Sequence, residues 1–157
     1  MLGLSQSLAQ NASSGDKQFV RSAIETNNAE ISMAHLALQK SDNARIKHFA
    51  EHMIRDHSRL NKELTPLAAK LGIQEPSSQT SQQQQEVASR LQGLRGRQFD
   101  EQYAQAMVQG HRQALQQINE EISTGHSASV KRAAEKAKPI VQEHLRLAES
   151  LTGHTKR

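Results

Sequence analysis

The sequence contains no cysteine and no tryptophan, and its only aromatic side chains are three phenylalanines and one tyrosine. The absence of cysteine excludes disulfide bonds, thiolate metal sites and cysteine nucleophiles. Because aromatic residues are so few, a core must be built from aliphatic side chains, methionine and alanine. No apolar run approaches the ~20 residues that a membrane-spanning helix needs, so no membrane span is expected.

The residues that the chain does contain favour helices. Ala, Leu, Gln, Glu, Lys and Arg dominate its 157 residues, and all are good helix formers. The formal charge of +4 comes from 20 basic and 16 acidic residues that are interspersed along the chain. Because a nucleic-acid-binding protein usually concentrates its positive charge on one face, no nucleic-acid partner is expected. The composition predicts an all-α protein.

The chain is predicted to hold one helical domain, residues 16–152, between two tails. The first tail, residues 1–15, contains Ser7-Leu8-Ala9. Ser7 and Ala9 are the small residues that a signal-peptidase site has at its −3 and −1 positions. We interpret this segment as a disordered tail or as the remnant of a signal peptide. Residues 153–157 form the second tail. A signal remnant, together with the absence of cysteine, favours a periplasmic or secreted protein.

Four segments carry apolar residues at alternating spacings of four and three, the pattern of helices in a bundle. The central inward position is Asn27 in the first segment, and a histidine takes one inward position in each of the others. The predicted inward residues are Val20, Ile24, Asn27, Ile31, Ala34 and Leu38; Ile46, Ala50, Met53, His57, Leu60, Leu64, Leu67 and Leu71; Ala104, Val108, His111, Leu115, Ile118 and Ile122; and Val130, Ala134, Ala137, Val141, His144, Ala148 and Leu151.

The connections between these segments predict a ferritin-like four-helix bundle. Residues 41–43 make a connection short enough for an up-down hairpin of the first two helices, and Gly125 ends the third helix before a second hairpin. A low-complexity crossover at residues 74–85 and a short helix ending near Gly96 join the two hairpins. Pro66 and Pro139 are expected to kink or interrupt their helices, because proline lacks the amide donor.

Several stretches resemble a large bacterial family of secreted ferritin-like domains of unknown function, often labelled outer-membrane proteins. The resemblance covers roughly residues 19–151. It implies a ferritin-like bundle in the periplasm or envelope and no established activity. The stretches that carry it are Asn28-Ala-Glu-Ile31 with Leu36-Ala37, Phe49-Ala50-x-x-Met53-x-x-Asp56-His57, Leu91-x-x-Leu94-x-Gly96-x-x-Phe99-Asp100-x-x-Tyr103, and Pro139-x-x-x-x-His144-Leu145.

The three inward histidines, His57, His111 and His144, lie on different predicted helices and could meet at one metal ion. Three neutral imidazoles with one open position suit zinc or copper, and iron is a further candidate cofactor. Glu30 is the carboxylate predicted to complete the site, with Glu143 and Asp56 as other carboxylates nearby. A di-iron centre needs Glu-x-x-His pairs, which these histidines lack, so no enzyme activity is expected.

Two other interpretations of the histidines stay open. Each could be a neutral core residue that donates to a backbone carbonyl, to Asn27 or Tyr103, or to a flanking carboxylate. His111 and His144 also differ by about four residues in distance from their shared turn, an offset of roughly 6 Å that is awkward for one ion. Without a metal, the protein would be a helical interaction or stress-protective module that acts through its outer surface, with partners and oligomeric state undetermined.

A second histidine pattern lies on the polar flank of the second predicted helix. His48, His52 and Asp56 follow one another at intervals of four residues, which places them along one stripe of the helix. Such a stripe can chelate a transition metal weakly, but exposed helices often carry it without function. Asp56 and Arg59 are expected to form a surface ion pair.

Overall fold

The computed structural model describes residues 11–74 and 80–152, and all regular structure in these two ranges is helical. Within residues 12–74 and 80–152, five helices follow one another: α1 Ser14–Lys40, α2 Ala44–Lys70, α3 Gln82–Gln92, α4 Gly96–Thr124 and α5 Ala128–Thr152. The predicted all-α class is confirmed. Residues 1–10 of the segment interpreted as a signal remnant and the predicted tail at 153–157 lie outside the described residues. Ser14 and Gly15, which were predicted to belong to the first tail, are the first residues of α1.

The helix ends follow from capping residues that the sequence displays. Ser13 caps α1 in a capping box with Asp16, and the side chain of Asn43 accepts a hydrogen bond from the backbone N–H of Arg45 at the start of α2. Gly72, with φ of 68°, ends α2 in the left-handed conformation that glycine adopts freely. The N–H of Ile73 then donates to the carbonyl of Ala68 over 3.0 Å, which completes a Schellman motif.

The four long helices pack as two antiparallel pairs, α1 with α2 and α4 with α5. The pairs meet where α2 lies against α5 and α1 lies against α4, while the short α3 crosses the outside of α1 and α4. Apolar clusters fill both ends of this bundle. One end contains Ile46, Phe49, Phe99 and Leu151, and the other contains Val20, Leu71, Val130 and Ile118. A layer of buried polar side chains separates them.

Neither proline interrupts its helix, so the expected interruption was wrong. α2 continues through Pro66 and α5 continues through Pro139. Both prolines lie on exposed faces, and so do Lys62 and Glu135, the residues whose carbonyls lose a donor. Because these carbonyls face the outside of the bundle, water can replace the missing N–H.

The connection between α2 and α4 also differs from the prediction. Gln82–Gln85, predicted as part of the crossover, form the first turn of α3, where Ser81 and Gln84 make a capping box. Gly96, predicted to end the short helix, instead begins α4 with φ of 55°. Within the two described ranges, no helix is long and apolar enough to cross a membrane.

Candidate metal centre

Each of the four long helices contributes one side chain to a polar cluster in the middle of the bundle. α1 provides Glu30, α2 provides His57, α4 provides His111 and α5 provides His144, and at most 3% of any of these residues is exposed. The ring centroids lie 5.8 Å apart for His57 and His111, 5.0 Å for His57 and His144, and 5.4 Å for His111 and His144. One nitrogen from each ring lies within 4.8 Å of the other two.

A chain of amides orients the His57 ring. Nδ1 of His57 lies 2.8 Å from Oδ1 of Asn27, and Nδ2 of Asn27 donates over 2.8 Å to Oδ1 of Asn61. Asn61 donates in turn to Asn28 over 2.8 Å. Because the amide oxygen of Asn27 can only accept, Nδ1 of His57 is the protonated nitrogen of the neutral ring. When the ring is neutral, Nε2 carries the lone pair.

The other two rings are oriented in the same way, each by an oxygen outside the cluster. His111 donates from Nδ1 to the backbone carbonyl of Met107 over 2.7 Å, and His144 donates from Nε2 to Oδ2 of Asp56 over 3.1 Å. Nε2 of His111 and Nδ1 of His144 are buried and make no hydrogen bond. In their neutral forms all three rings thus present a lone pair on the nitrogen that lacks a partner.

The carboxylate of Glu30 lies among these rings. Oε2 of Glu30 is 2.9 Å from Nε2 of His57, although the two are too poorly aligned for a hydrogen bond, and Oε1 is 3.6 Å from Nδ1 of His111. Burial alone would raise the pKa of Glu30, but the charges that His111 and His57 can carry outweigh burial and hold it at about 2. The low pKa of Glu30 thus depends on positive charge on the surrounding histidines, because a buried carboxylate without a partner is costly to ionise.

His144 is held neutral at physiological pH. Burial lowers its pKa to about 4, and the nearby charge of His57 adds to that effect, while the hydrogen bond to Asp56 opposes it. Burial would raise the pKa of Asp56, but the hydrogen bonds from His144 and Arg55 lower it overall. A neutral imidazole that donates to a carboxylate is the form in which histidine binds metal ions.

A small cavity and a larger groove adjoin the cluster from different directions. The cavity measures about 50 Å³ and lies among Leu60, Leu64, Ile118 and Val141, with Glu30 on its wall. The groove measures about 440 Å³ and lies between α1, α3 and α4, where Glu30 and Gly110 line it together. A Cβ on Gly110 would lie 3.3 Å from Oε1 of Glu30, so this glycine gives the carboxylate its room.

The structure brings together four of the residues singled out from the sequence: Glu30, His57, His111 and His144. The rings of His111 and His144, for which an axial offset of roughly 6 Å was expected, have their centroids 5.4 Å apart. Glu143 is exposed and binds Arg146 instead of joining the cluster. Asn61 and the carbonyl of Met107, which orient two of the rings, were missed because no sequence pattern marks an asparagine or a backbone oxygen as a partner.

The surface stripe on α2 is only partly assembled. The rings of His48 and His52 lie 5.0 Å apart, and Nδ1 of His52 is 4.0 Å from Oδ2 of Asp56. Arg55 donates to Nδ1 of His52 over 2.8 Å, so a guanidinium already occupies that nitrogen. The expected ion pair of Asp56 with Arg59 is present at 3.8 Å.

Fold and cluster together define an all-α helical bundle whose interior holds three histidines and one glutamate. By sequence, the chain belongs to DUF4142, a domain family of unknown function, whose model matches residues 3–151. This confirms the part of the predicted resemblance that concerns a domain family of unknown function. No curated protein matches the sequence.

Two solved structures share the fold at low sequence identity. A DUF305 fragment from Deinococcus radiodurans is similar with a TM-score of 0.80 and 17% identity, over 90% of this chain and 97% of that chain. CopM in the Cu(II)-bound form is similar with a TM-score of 0.72 and 16% identity, over 88% of this chain and 95% of that one. At such identities the likeness establishes the helical fold alone.

Proposed function

We propose that this protein binds one divalent transition-metal ion through Nε2 of His57, Nε2 of His111, Nδ1 of His144 and the carboxylate of Glu30. The observation that carries the proposal is the set of three buried ring nitrogens without hydrogen-bond partners around a buried carboxylate. All four groups are electron-pair donors in their neutral or ionised forms. A metal ion can accept an electron pair from all four groups at once, whereas a single proton can be shared by only two of them.

The contacts outside the cluster support a metal site over simple core packing. A core histidine needs a partner for each ring nitrogen, or it loses hydrogen-bonding free energy on burial. Here each ring is held on one side by an oxygen acceptor and left open on the side that faces the other rings. Metal-binding histidines in proteins are oriented in this manner.

Three nitrogens and one oxygen suit zinc or copper better than a dinuclear iron centre. Two ligand atoms on one tetrahedral zinc ion lie about 3.4 Å apart. The ring nitrogens, which lie within 4.8 Å of one another, must therefore close in by up to about 1.4 Å. Glu30 is the one carboxylate among the four ligands, whereas a di-iron site needs several. The Cu(II)-bound form of CopM, which shares the helical fold, makes copper a natural first ion to test.

We further propose that the bundle is ferritin-like and that the protein works in the bacterial periplasm or is secreted, as a binding protein without enzyme activity. The two antiparallel helix pairs joined by a long connection support the ferritin-like arrangement. The family resemblance supports the location.

The proposal is tested by titrating metal-free protein with Zn(II) and Cu(II) and measuring affinity by competition with a chelator. His57→Ala, His111→Ala and His144→Ala should each lower the affinity by about 100-fold or more, because each removes a ligand. His35→Ala is the matched control, since His35 is exposed on α1. In wild type, an ion at 100 times its Kd should add about 2.7 kcal/mol to the free energy of unfolding.

The pH dependence of binding provides a further check. Protons and the metal compete for the same nitrogen lone pairs, so the affinity should fall as the pH is lowered. If wild type binds neither ion, or if the three variants bind as tightly as wild type, the centre is not a metal site. The metal-free interaction module would then be the better description of the protein.

A further inference from the structure

The interior differs between the two sides of the centre along the bundle axis. Toward the C-terminal end of α1, aromatic rings fill the space: the ring centroid of Tyr103 lies 5.9 Å from that of Phe99 and 6.1 Å from that of Phe49, and all three side chains are buried. Toward the N-terminal end of α1 lies the cavity of about 50 Å³. Along the axis, the free space beside the centre therefore lies on the side of the cavity.

Three of the four proposed metal ligands line this cavity, namely Glu30, His57 and His111. Nε2 of His57 and Nε2 of His111 are buried and have no hydrogen-bond partner among the described residues. An ion bound by these groups would border the cavity, because the residues that hold the ion form part of the cavity wall. The cavity is thus continuous with the proposed metal site.

Away from the centre, the wall of the cavity is mainly apolar. Thr26 and Asn27 line it, but both already make side-chain hydrogen bonds. Glu63 and Gln117 also line it, and both are exposed, so water can solvate their polar ends. A molecule in the cavity would therefore meet hydrocarbon on its sides and the metal centre at one end. The apolar wall includes Leu60, Leu64, Ala114, Ile118, Ala137 and Val141.

The volume of the cavity limits its contents to a few atoms. A single water needs about 10–15 Å³, and an apolar cavity of about 150 Å³ holds benzene. At about 50 Å³, this cavity is larger than one water requires and too small for an aromatic ring. Apolar walls also disfavour ions, because burying a charge without a partner is costly. Volume and polarity together select a small uncharged molecule.

We propose that the cavity admits a neutral diatomic molecule, of the class that includes dioxygen and nitric oxide, to an open coordination position on the bound metal ion. This inference rests on the metal binding proposed above. Copper(II) in a tetragonal site accepts weak ligands beyond its four strong ones, so a molecule in the cavity can bind without displacing a histidine. The centre is then a site for two guests, the ion and a small molecule upon it.

Xenon tests the cavity without any metal. It is an uncharged atom that enters apolar cavities and scatters X-rays strongly. Crystals of metal-free wild type under xenon pressure should show xenon among Leu64, Ala114 and Val141, which line the cavity. A crystal in which this position takes up no xenon would overturn the proposal.

Nitric oxide tests the open position on the ion. NO and Cu(II) each carry one unpaired electron, so the two together in a complex give no electron paramagnetic resonance signal. Cu(II)-loaded wild type should lose its signal under NO and recover it when NO is removed under vacuum. A signal that NO leaves unchanged, or one that does not return, would overturn the proposal. A protein that binds no copper fails at the proposed function, whereas one that binds copper but not NO fails at this inference alone.

Two substitutions from different helices should fill the cavity. Ala114 on α4 and Ala137 on α5 both line it, and both are half-buried, so a larger side chain has room to adjust. We expect Ala114→Leu and Ala137→Leu each to abolish xenon uptake and to lower the NO affinity of the Cu(II)-loaded protein by about tenfold or more. Each should leave the Cu(II) affinity within about twofold of wild type, because no ligand is removed.

Ala106→Leu is the matched control for these substitutions. Ala106 is half-buried on α4 and lines the outer groove as Ala114 does, but it does not line the cavity. The control should take up xenon and bind NO as wild type does. If Ala114→Leu and Ala137→Leu bind NO as tightly as Ala106→Leu, the molecule does not reach the ion through the cavity and the proposal is wrong.

Discussion

Two buried carboxylates of this molecule, Asp16 and Glu30, have opposite surroundings. Asp16, at the end of the bundle, accepts hydrogen bonds from the backbone N–H groups of Ser13, His126 and Ser127 at 2.6, 2.9 and 3.2 Å, and from the Ser13 hydroxyl at 2.8 Å. Glu30, in the middle, is approached by ring nitrogens. A backbone N–H cannot lose its proton or move away, whereas a ring nitrogen exchanges its proton readily.

The two environments have the same effect on acidity through different causes. Burial would raise the pKa of Asp16, but hydrogen bonds from Ser13, together with those from Glu121 and Ser127, outweigh it and lower that pKa well below its usual range. At Glu30 the opposing cause is charge on the histidines. The charge of Asp16 is therefore satisfied by the fold itself, while that of Glu30 depends on the ionisable histidine rings around it. The first arrangement builds structure, and the second can bind a metal.

The largest effect that separates the two carboxylates should come from removing Asp16. Asp16→Ala leaves the N–H groups of His126 and Ser127 without an acceptor and breaks the capping box of α1. We expect a loss of about 3 kcal/mol in the free energy of unfolding, measured by urea denaturation of the metal-free protein.

Asp42→Ala is the matched control for this substitution, because Asp42 is exposed and does not cap a helix. It should change the free energy of unfolding by less than about 0.5 kcal/mol. The folded Asp16→Ala protein should still bind zinc as wild type does. A loss of zinc affinity comparable to that of His111→Ala would mean that the two carboxylates are not separate in function.

A smaller effect is expected at Glu121, which lies beside Asp16. Burial and the neighbouring Asp16 raise the pKa of Glu121 to about 7. A carboxyl whose pKa is higher in the folded than in the unfolded protein loses stability as the pH rises from its unfolded pKa to its folded one. Between about pH 4.5 and 7, Glu121 should therefore make wild type progressively less stable.

Glu121→Gln removes this titration while keeping the shape of the side chain. The variant should be more stable than wild type by about 1 kcal/mol at pH 8, after allowance for water at the bundle end, and equal to it near pH 4.5. Urea denaturation at the two pH values measures the difference. Glu120→Gln, on the exposed face next to it, is the control. Equal gains in both variants, or a gain near pH 4.5 alone, would contradict the assignment.

The sequence predicts the helices of this molecule more completely than it predicts the geometry of the centre. The four-and-three spacing and the caps at Ser13, Asn43 and Gly72 predict the long helices, because these signals are local. The inward position of Glu30 was less clear. Ile31 was the predicted inward residue of this turn, but α1 packs against α4 as well as α2, so its buried face includes the neighbouring Glu30, while Ile31 is only half-buried.

The vertical alignment of the helix pairs could not be predicted. Within the α4–α5 pair, counting from the turn gives His111 and His144 an axial offset of about 6 Å, and their ring centroids lie 5.4 Å apart. No such count relates this pair to the α1–α2 pair, which carries Glu30 and His57. Side chains reach along the axis as well as across it, and packing between pairs sets the register. No residue pattern in one chain encodes that packing directly.

The smallest effect is expected at Gly110, which lies against the carboxylate of Glu30. Gly110 lies inside α4, where glycine is less favourable than alanine by about 1 kcal/mol. Gly110→Ala should recover only part of that stability. The new Cβ would lie 3.3 Å from Oε1 of Glu30, so the carboxylate would have to shift, and this shift costs some of the gain. We expect little net change in the free energy of unfolding but a roughly tenfold loss of Zn(II) affinity, since a ligand is displaced. Gln109→Ala, exposed on the same helix, should leave the affinity unchanged. If Gly110→Ala binds zinc as tightly as wild type does, the space that Gly110 leaves does not matter for zinc binding, and Glu30 is not a ligand.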